Sequence, residues 1–276
     1  MKIVMFTKML RDKSVADLVD LGHEFELDGW DLCIRPGYPI NPENAGTELA
    51  GAVRTCESEG LSIPMVTGAF DLLLPDHPSA EPTLAAMDAA DVRLIKLGYF
   101  KFDPEKQDYW SEVDRIQRAF DAWQPLAEKY GVRICYHTHS HRCMGLNASM
   151  MAHLMRDRDP RYFGVYLDPG HLVVEGEEFV MGLAIVRSHI RMIGLKDVLK
   201  TRAEKDGHGS VSTQWVEAGH GMVDWTTVFS NLAAIGFDGP MSVHCEFENA
   251  PDGHINTAKR EVAFFKRLRD DVIAND

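Results

Sequence analysis

Short apolar runs alternate with amphipathic segments along the whole chain. The runs are KIVMFT (2–7), WDLCIR (30–35), IPMVTG (63–68), VRLIKLGY (92–99), VRICYHTH (132–139), FGVYLD (163–168), IRMIGLKD (190–197) and PMSVHCEF (240–247). Their length and apolar content predict strands, whereas the segments between them, such as SVADLVDLGHEF, have the spacing of helices. Alternating strands and helices predict a parallel sheet, and eight such units predict an α/β fold of the closed (β/α)8, or TIM, barrel type.

The chain contains no proline- or glycine-rich linker that would divide it into domains. Its 276 residues fit either one barrel of about 250 residues or two average domains, so length alone leaves the number of domains open. Because strand and helix alternate without interruption, we predict one barrel domain over residues 1–276.

Alternation within each predicted strand separates an apolar face from a polar face. In the fifth strand, Ile134 and Tyr136 lie opposite Cys135, His137 and His139. The same alternation gives the fourth, seventh and eighth strands polar faces that contain Lys96, Lys196, His244 and Glu246. Because the apolar faces fit the layer beneath the helices, the polar side chains should point into the barrel. They gather toward the C-terminal strand ends, where barrel enzymes place their chemistry.

Polar residues also end the other predicted strands: Lys8 the first, Arg35 the second and Asp168 the sixth, with His171 close behind it. A single buried histidine is usually a hydrogen-bonded core residue. A whole set of such residues needs partners, because each unpaired buried polar group costs about 1–3 kcal/mol and a charge costs more. We therefore predict that a metal ion or a polar substrate occupies the barrel mouth.

Charge and composition narrow the range of partners. The formal net charge is −13, from 42 acidic and 29 basic residues, which disfavours nucleic acid and anionic membranes and favours small-molecule ligands. No stretch approaches the roughly 20 apolar residues of a membrane span, and MKIVMFTKML leads into a strand without a cleavable signal, so a cytoplasmic protein is expected. The five cysteines are scattered without a CxxC pair and are expected in the core. A homo-oligomer is compatible with this composition.

A resemblance to a known family extends through nearly the whole chain. The runs GVYLDPGH, IRMIGLKDV and GHGMVDWTTVFSNLAAIGFDGPMSVHCEFE resemble the xylose isomerase-like TIM barrel superfamily of sugar phosphate isomerases and epimerases. The YHxH pattern of the fifth strand is most similar to the branch of inosose dehydratases and relatives that act on keto sugars. The resemblance implies one divalent metal ion, held by a glutamate, an aspartate, a histidine and a glutamate from the fifth to the eighth strands.

The chain matches these implied metal ligands only in part. Asp168 of DPGH matches the sixth-strand aspartate, and His171 matches a histidine on the substrate side. His137 stands at the fifth-strand glutamate position, and Gly194 stands at the seventh-strand histidine position. The usual metal site is therefore altered at two of these positions.

At the eighth strand, His244 stands at the glutamate position, and Glu246 lies one inward-facing position further along. Two ligand sets therefore remain open. An inner set of His137, Asp168 and His244 would suit softer ions such as zinc, iron or cobalt. An outer set of His139, Asp168 and Glu246 would lie about 6.5 Å further along the strands. Manganese remains a candidate because the resemblance implies it.

The resemblance implies proton abstraction beside the carbonyl of a keto sugar or polyol, giving isomerisation, epimerisation or dehydration. The candidate bases are Glu246, His139 and His171, since the pKa of a histidine lies near neutrality. Lys196 could offset negative charge that develops on the substrate. The candidate substrate-binding residues are Arg35, Lys96 and Lys8.

Three other functions remain open. Lys196 or Lys96 could form a Schiff base with a keto substrate without a metal ion. Gly194 could mark a barrel that has lost its metal ligands and serves as a sugar-binding or enzyme subunit. A DNA repair endonuclease of the same superfamily would need a basic groove, which the net charge of −13 disfavours.

Residues 200–222 form a long segment after the seventh predicted strand. Long loops in compact domains are often functional, so this segment is a candidate lid. Its histidines, His208 and His220, are expected to be exposed.

Overall fold

Eight parallel strands close into a barrel in the computed structural model, which describes residues 1–274. The strands of these residues are β1 (Lys2–Phe6), β2 (Gly29–Cys33), β3 (Ser62–Thr67), β4 (Leu94–Lys96), β5 (Arg133–His137), β6 (Phe163–Leu167), β7 (Ile190–Leu195), β8 (Asp197–Lys205), β9 (His208–Val216) and β10 (Pro240–Val243). Strands β1 to β7 follow one another around the barrel, and β10 closes it between β7 and β1. The predicted (β/α)8 barrel is confirmed. The single domain over 1–276 stays a prediction, and residues 275–276 lie outside the described part.

Helices connect the barrel strands. They are α1 (Val15–Glu24), α2 (Ala45–Ser58), α3 (Ala80–Ala89), α4 (Tyr109–Tyr130), α5 (Ala148–Met155), α6 (Pro169–Glu175), α7 (Phe179–Val186), α8 (Trp225–Ala234) and α9 (His254–Ala274). Local sequence determines several helix ends. Ser14 and Asp17 form a capping box at the start of α1, and Asn147 caps α5. Gly131, with a φ of 60°, ends α4 in the left-handed conformation that glycine favours.

The predicted direction of the strand side chains is confirmed in β5. Ile134 and Tyr136 pack in the main core beneath the helices, whereas Cys135 belongs to a separate buried layer inside the barrel. That layer consists of Met65, Cys135, Tyr166 and Met192. The interior also holds the fully buried carboxylate of Asp31, which accepts hydrogen bonds from the hydroxyls of Thr67 and Ser242. The barrel is therefore filled, and its polar chemistry lies toward one end.

Each of the eight predicted strands runs past the C-terminal end of the observed strand. β4 covers only Leu94–Lys96, and β2 ends at Cys33. Arg35 therefore lies in the loop after β2, and Lys8 lies in a short 3-10 turn after β1. Both residues remain at the C-terminal end of the barrel, but their side chains are carried by connections and not by the strands themselves.

The segment after β7 is a β-hairpin and not the irregular loop expected over residues 200–222. β8 and β9 pair antiparallel from Asp197 to Val216, outside the barrel sheet. His208 at the turn and His220 beyond β9 are exposed, as expected.

A buried aspartate, Asp197, anchors the base of this hairpin. Its carboxylate accepts five hydrogen bonds, from the backbone N–H groups of Val198, Gly219, Gly221 and Val223 and from the indole N–H of Trp225. Glycine is needed at position 221 because a Cβ there would overlap the carboxylate of Asp197. The chain after β9 is thus folded around one buried negative charge.

The described residues contain no helix with the length and apolar content required to cross a membrane. The five cysteines are buried and unpaired, so they lie in the core as expected.

Candidate functional site

Three buried side chains at the C-terminal end of the barrel converge on one point. His137 ends β5, Asp168 follows β6, and His244 follows β10. One ligand atom from each of the three lies within 4.8 Å of the others, and Nε2 of His137 lies 3.3 Å from Oδ2 of Asp168. Two imidazoles and a carboxylate at this spacing can hold a transition-metal ion and leave positions open for substrate.

A tyrosine hydroxyl contacts one ring nitrogen of each imidazole of this trio, His137 and His244. The hydroxyl of Tyr99 lies 2.8 Å from Nδ1 of His137, and the hydroxyl of Tyr166 lies 2.7 Å from Nε2 of His244. Nδ1 of His244 is buried without a hydrogen-bond partner among the described residues. A partner on one ring nitrogen fixes the orientation of a ligating histidine, so the arrangement fits a metal ion that would use the other nitrogen.

Gly194 of β7 leaves the space in which the carboxylate of Asp168 lies. A Cβ at position 194 would lie 2.7 Å from Oδ2 of Asp168, which is closer than such atoms approach one another. A histidine at this position would therefore force the carboxylate to move. The glycine and the buried position of Asp168 therefore belong to one arrangement.

Burial lowers the pKa of the four imidazoles at the mouth, and nearby lysine charges lower it further. The pKa of His137, His171 and His244 lies well below the usual value of 6.5, and the pKa of His139 falls to about 2. At neutral pH these rings are uncharged, which is the state in which imidazole binds a metal ion.

Glu246 lies above the trio and is paired with two lysines. Its Oε2 accepts a hydrogen bond of 2.9 Å from Nζ of Lys196, and its Oε1 pairs with Lys8. Burial alone would raise the pKa of Glu246, but Lys196, His244 and Lys8 together hold it well below its usual range. Nζ of Lys196 also lies 3.8 Å from Oδ2 of Asp168, so this ammonium lies between two carboxylates.

Two further cations lie against aromatic rings on the other side of the mouth. Nζ of the buried Lys96 lies 3.7 Å from the centroid of the Tyr99 ring, and burial lowers the pKa of this lysine well below its usual value. The guanidinium of Arg35 lies 4.1 Å from the centroid of Phe70 and donates to the carbonyl of Gly68. Ring faces stabilise these cations without neutralising their charge.

The β8–β9 hairpin contributes a tryptophan to the same region. The ring of Trp215 lies 4.4 Å from Nζ of Lys196 and 4.9 Å from the ring of His171. His171 in turn stacks on His139, with ring centroids 4.1 Å apart. The hairpin thus forms part of the wall of the mouth.

An inner cavity of about 70 Å³ opens among these side chains. Its lining consists of Phe6, Lys8, Arg35, Phe70, Tyr99, His139, Lys196, His244 and Glu246. An outer groove of about 390 Å³ shares Lys8, Arg35 and Phe70 with this cavity. A small molecule that enters through the groove would therefore reach the cavity by passing these three side chains.

The family of xylose isomerase-like TIM barrels matches residues 19–268. The chain belongs to this family.

Curated relatives within the xylose isomerase-like family are inosose dehydratases. The inosose dehydratase of Geobacillus thermodenitrificans (strain NG80-2) is 32% identical over 148 residues, which are 50% of this chain and 47% of that enzyme. The inosose dehydratase of Lacticaseibacillus casei is 26% identical over 159 residues, which are 54% of this chain and 52% of that enzyme. The chain thus spans about half the length of the curated relatives it matches.

Solved structures of the same architecture align over the whole chain. A D-tagatose 3-epimerase-like protein aligns with a TM-score of 0.74 at 17% identity, over 100% of this chain and 99% of that chain. The fold is therefore that of the family. The family resemblance inferred from sequence is confirmed.

The inner of the two predicted ligand sets is the one that this xylose isomerase-like barrel brings together. Among the described residues, the trio of His137, Asp168 and His244 meets the spacing of a metal site. In the outer set, Nδ1 of His139 lies 2.9 Å from the carbonyl oxygen of Ser140, and Glu246 is paired with lysines. The predicted residues Lys8, Arg35, Lys96, His171 and Lys196 all lie around the same mouth.

Several residues of the mouth were not predicted, among them Tyr166, Tyr99 and Trp215. Tyr166 shares the inward face of β6 with Asp168, so strand alternation contains the signal for it. Tyr99 is the last residue of the predicted fourth strand, but nothing in the sequence indicates that its hydroxyl meets His137. Trp215 comes from the hairpin, and the strand pattern of the barrel contains no signal for it.

Proposed function

We propose that this chain is a metal-dependent enzyme that removes a proton next to the carbonyl of a keto sugar or keto polyol. Proton return or loss of hydroxide would then give isomerisation, epimerisation or dehydration. The observation that carries the proposal is the buried trio of His137, Asp168 and His244, whose unpartnered imidazole nitrogen faces a mouth rich in groups that transfer protons or hold negative charge.

The residues of the trio fit a divalent ion. His137, Asp168 and His244 would hold it, and two imidazoles favour zinc, cobalt or iron over magnesium. When bound, the ion would supply Lewis acidity toward the carbonyl and hydroxyl oxygens of the substrate. A zinc atom is bound in the structure of the IOLI protein, which aligns with a TM-score of 0.72 at 16% identity over 100% of this chain and 99% of that chain, and this supports the choice of zinc for a first experiment.

Cations around the mouth would bind oxygens and offset negative charge as the proton leaves carbon. Lys196 is held in place by Glu246 and by the ring of Trp215, so its ammonium needs little reorganisation during the reaction. Arg35 and Lys8 line the passage from the outer groove, where they could bind hydroxyl groups of an entering sugar. Glu246 remains a candidate base, and Lys196, His244 and Lys8 hold its pKa well below the usual range.

A sugar requires more room than the inner cavity of about 70 Å³, since ligand sites typically measure about 300–1,000 Å³. Phe70 is 56% exposed, and Trp215 belongs to a hairpin outside the barrel sheet, so these parts of the wall can move without disturbing the barrel strands. We therefore propose that substrate entry displaces them and that the hairpin serves as a lid.

The direct test is deuterium uptake at carbon. The zinc-loaded or manganese-loaded chain is incubated in deuterated water with a panel of ketoses, inososes and 3-keto sugars, and the sugars are analysed by NMR and mass spectrometry. We expect uptake or water loss with at least one compound, and neither with the Asp168→Ala variant. No change in any compound, beside a demonstrated bound ion, would overturn the proposal in favour of a sugar-binding subunit.

A Schiff base at Lys96 is the second candidate function, because this amine is buried and burial lowers its pKa well below the usual value. Borohydride treatment in the presence of a reactive keto sugar distinguishes the two mechanisms. A sugar adduct that is lost in Lys96→Arg would favour the Schiff base. Deuterium uptake that depends on the metal, with no adduct, would favour the metal-dependent reaction.

A further inference from the structure

His139 and His171 stack at the mouth, and both contact Ser140. Nδ1 of His139 lies 2.9 Å from the carbonyl oxygen of Ser140 and 3.5 Å from Sγ of Cys143, a sulfur that also accepts a hydrogen bond from Lys101. Nδ1 of His171 lies 3.2 Å from the backbone N–H of Ser140 and 2.8 Å from its hydroxyl oxygen. Each ring thus contacts a backbone group that can only accept or only donate a hydrogen bond.

The carbonyl of Ser140 determines where the proton of His139 lies. A carbonyl oxygen only accepts hydrogen bonds, so Nδ1 of His139 must carry a proton to make this contact. In the uncharged ring, Nε2 then has a free lone pair. His139 lines the inner cavity, where that lone pair is available to a substrate.

The N–H of Ser140 has the opposite effect on His171. A backbone N–H only donates, so Nδ1 of His171 must be unprotonated, and the proton of the ring lies on Nε2. Nε2 of His171 is buried and has no hydrogen-bond partner among the described residues. Its nearest carboxylate oxygen, Oδ2 of Asp168, lies 3.9 Å away, which is too far for a hydrogen bond.

We propose that Ser140 imposes opposite tautomers on the two stacked histidines, so that His139 accepts a proton from the substrate and His171 donates a hydrogen bond to it. This division of roles rests on the proposed function of the same site. Ser140 is a positioning residue, because it acts through the two rings and not on the substrate. The backbone groups of a single residue thus set both tautomers.

The division gives a balanced first step. Nε2 of His139 takes the proton from the carbon next to the carbonyl, and the electron pair of the broken C–H bond forms a C=C bond while the carbonyl electrons move to oxygen. The N–H of His171 and the ammonium of Lys196 then stabilise that oxygen. Return of the proton to the same carbon, to its neighbour, or loss of a neighbouring hydroxyl as water completes epimerisation, isomerisation or dehydration.

The tautomers can be measured without any sugar. Imidazole ¹⁵N shifts and long-range ¹H–¹⁵N correlations are recorded on the zinc-loaded full chain, with the two rings assigned from His139→Gln and His171→Gln. We expect a protonated Nδ1 in His139 and a protonated Nε2 in His171. The same tautomer in both rings, or the reverse pair, would overturn the proposal whatever the activity.

Ser140→Ala is the matched variant for the backbone argument. It removes the hydroxyl and keeps the carbonyl and the N–H, so both tautomers should persist. A changed tautomer in either ring would assign the selection to the hydroxyl and contradict the proposal.

Glutamine substitutions separate the two roles. The amide of glutamine occupies the place of an imidazole Nε2 and can donate a hydrogen bond, but it is not basic. His171→Gln should keep turnover within about tenfold of the unaltered chain. His139→Gln should lower turnover about 100- to 10,000-fold.

Two outcomes distinguish this proposal from the proposed function. If the tautomers are as expected and no sugar exchanges deuterium, the proposed function fails and the tautomer assignment stands. If a sugar exchanges deuterium and His139→Gln turns over as fast as His171→Gln, the division of roles is overturned while the proposed function stands.

Discussion

Two fully buried aspartates, Asp168 and Asp197, have opposite surroundings within the same barrel. The carboxylate of Asp197 accepts five hydrogen bonds from N–H groups that are fixed by the chain around it. The carboxylate of Asp168 accepts one backbone N–H, from His171, on Oδ1. Its Oδ2 faces His137 at 3.3 Å and Lys196 at 3.8 Å.

The difference separates a structural carboxylate from one available for chemistry. Buried charges are tolerated when hydrogen bonds replace the lost water, and Asp197 is satisfied in this way. Asp168 is stabilised by side chains that a metal ion or a substrate can displace. Incomplete pairing of a buried charge therefore marks the reaction centre, and burial by itself does not.

The largest expected effect on stability is that of Asp197→Asn. The amide keeps one acceptor oxygen and places an NH₂ group against N–H donors, so the free energy of unfolding should fall by about 3 kcal/mol or more. Asp168→Asn keeps the acceptor oxygen for the N–H of His171, so the free energy of unfolding should fall by no more than about 1 kcal/mol. Urea unfolding of both variants measures this difference, and equal losses would contradict the comparison.

Replacing the cation beside Asp168 should affect turnover more than stability. Lys196→Met keeps the length of the side chain and removes its charge, so turnover should fall about 100-fold. Zinc affinity should rise, because a competing positive charge next to two carboxylates is gone. Lys200→Met is the control, since Nζ of Lys200 donates to carbonyls of α6 away from the mouth. A drop in turnover of similar size in the control would contradict the proposed role of Lys196 in stabilising negative charge.

A further buried carboxylate, Glu261, should give an effect on stability that depends on pH. It receives a backbone N–H from Ala218, and burial raises its pKa to about 8 from the usual 4.5. The folded chain thus keeps a proton that the unfolded chain releases. Its stabilising contribution is complete below a pH of about 4.5 and is lost as the pH rises through about 8.

The neutral variant Glu261→Gln should escape this loss. We expect the unaltered chain to be less stable than Glu261→Gln by several kcal/mol near pH 9, and the difference to shrink near pH 5. Urea unfolding at the two pH values provides the measurement. A difference that grows as the pH falls would show that the carboxyl is ionised in the folded chain.

The sequence predicts the barrel and much of its mouth because side-chain direction in a strand is a local property. Alternation alone places Lys196 inside and Ile134 outside, and the structure agrees. The choice between the two ligand sets is not local. It depends on the pairing of Glu246 with Lys8 and Lys196, which follow two other strands. The residue pattern of one strand contains no information about such a pairing.

Loop conformation limits the prediction further. The contacts of Ser140 follow from a turn in which His141 and Arg142 adopt φ values of 66° and 58°. Such a conformation is rare for residues other than glycine, and the sequence gives no signal for it. Trp215 reaches the mouth only because β9 pairs with β8 in a register that places it opposite Val198.

Calorimetric titration with zinc tests the central claim that the incompletely paired Asp168 marks a metal centre. We predict one zinc ion per chain in the unaltered protein and an affinity at least about 100-fold lower in Asp168→Asn. Asp224→Asn is the matched control, because Asp224 caps α8 as Asp168 caps α6 but lies outside the mouth, and it should bind zinc as the unaltered chain does. Equal binding by Asp168→Asn and Asp224→Asn would contradict the claim.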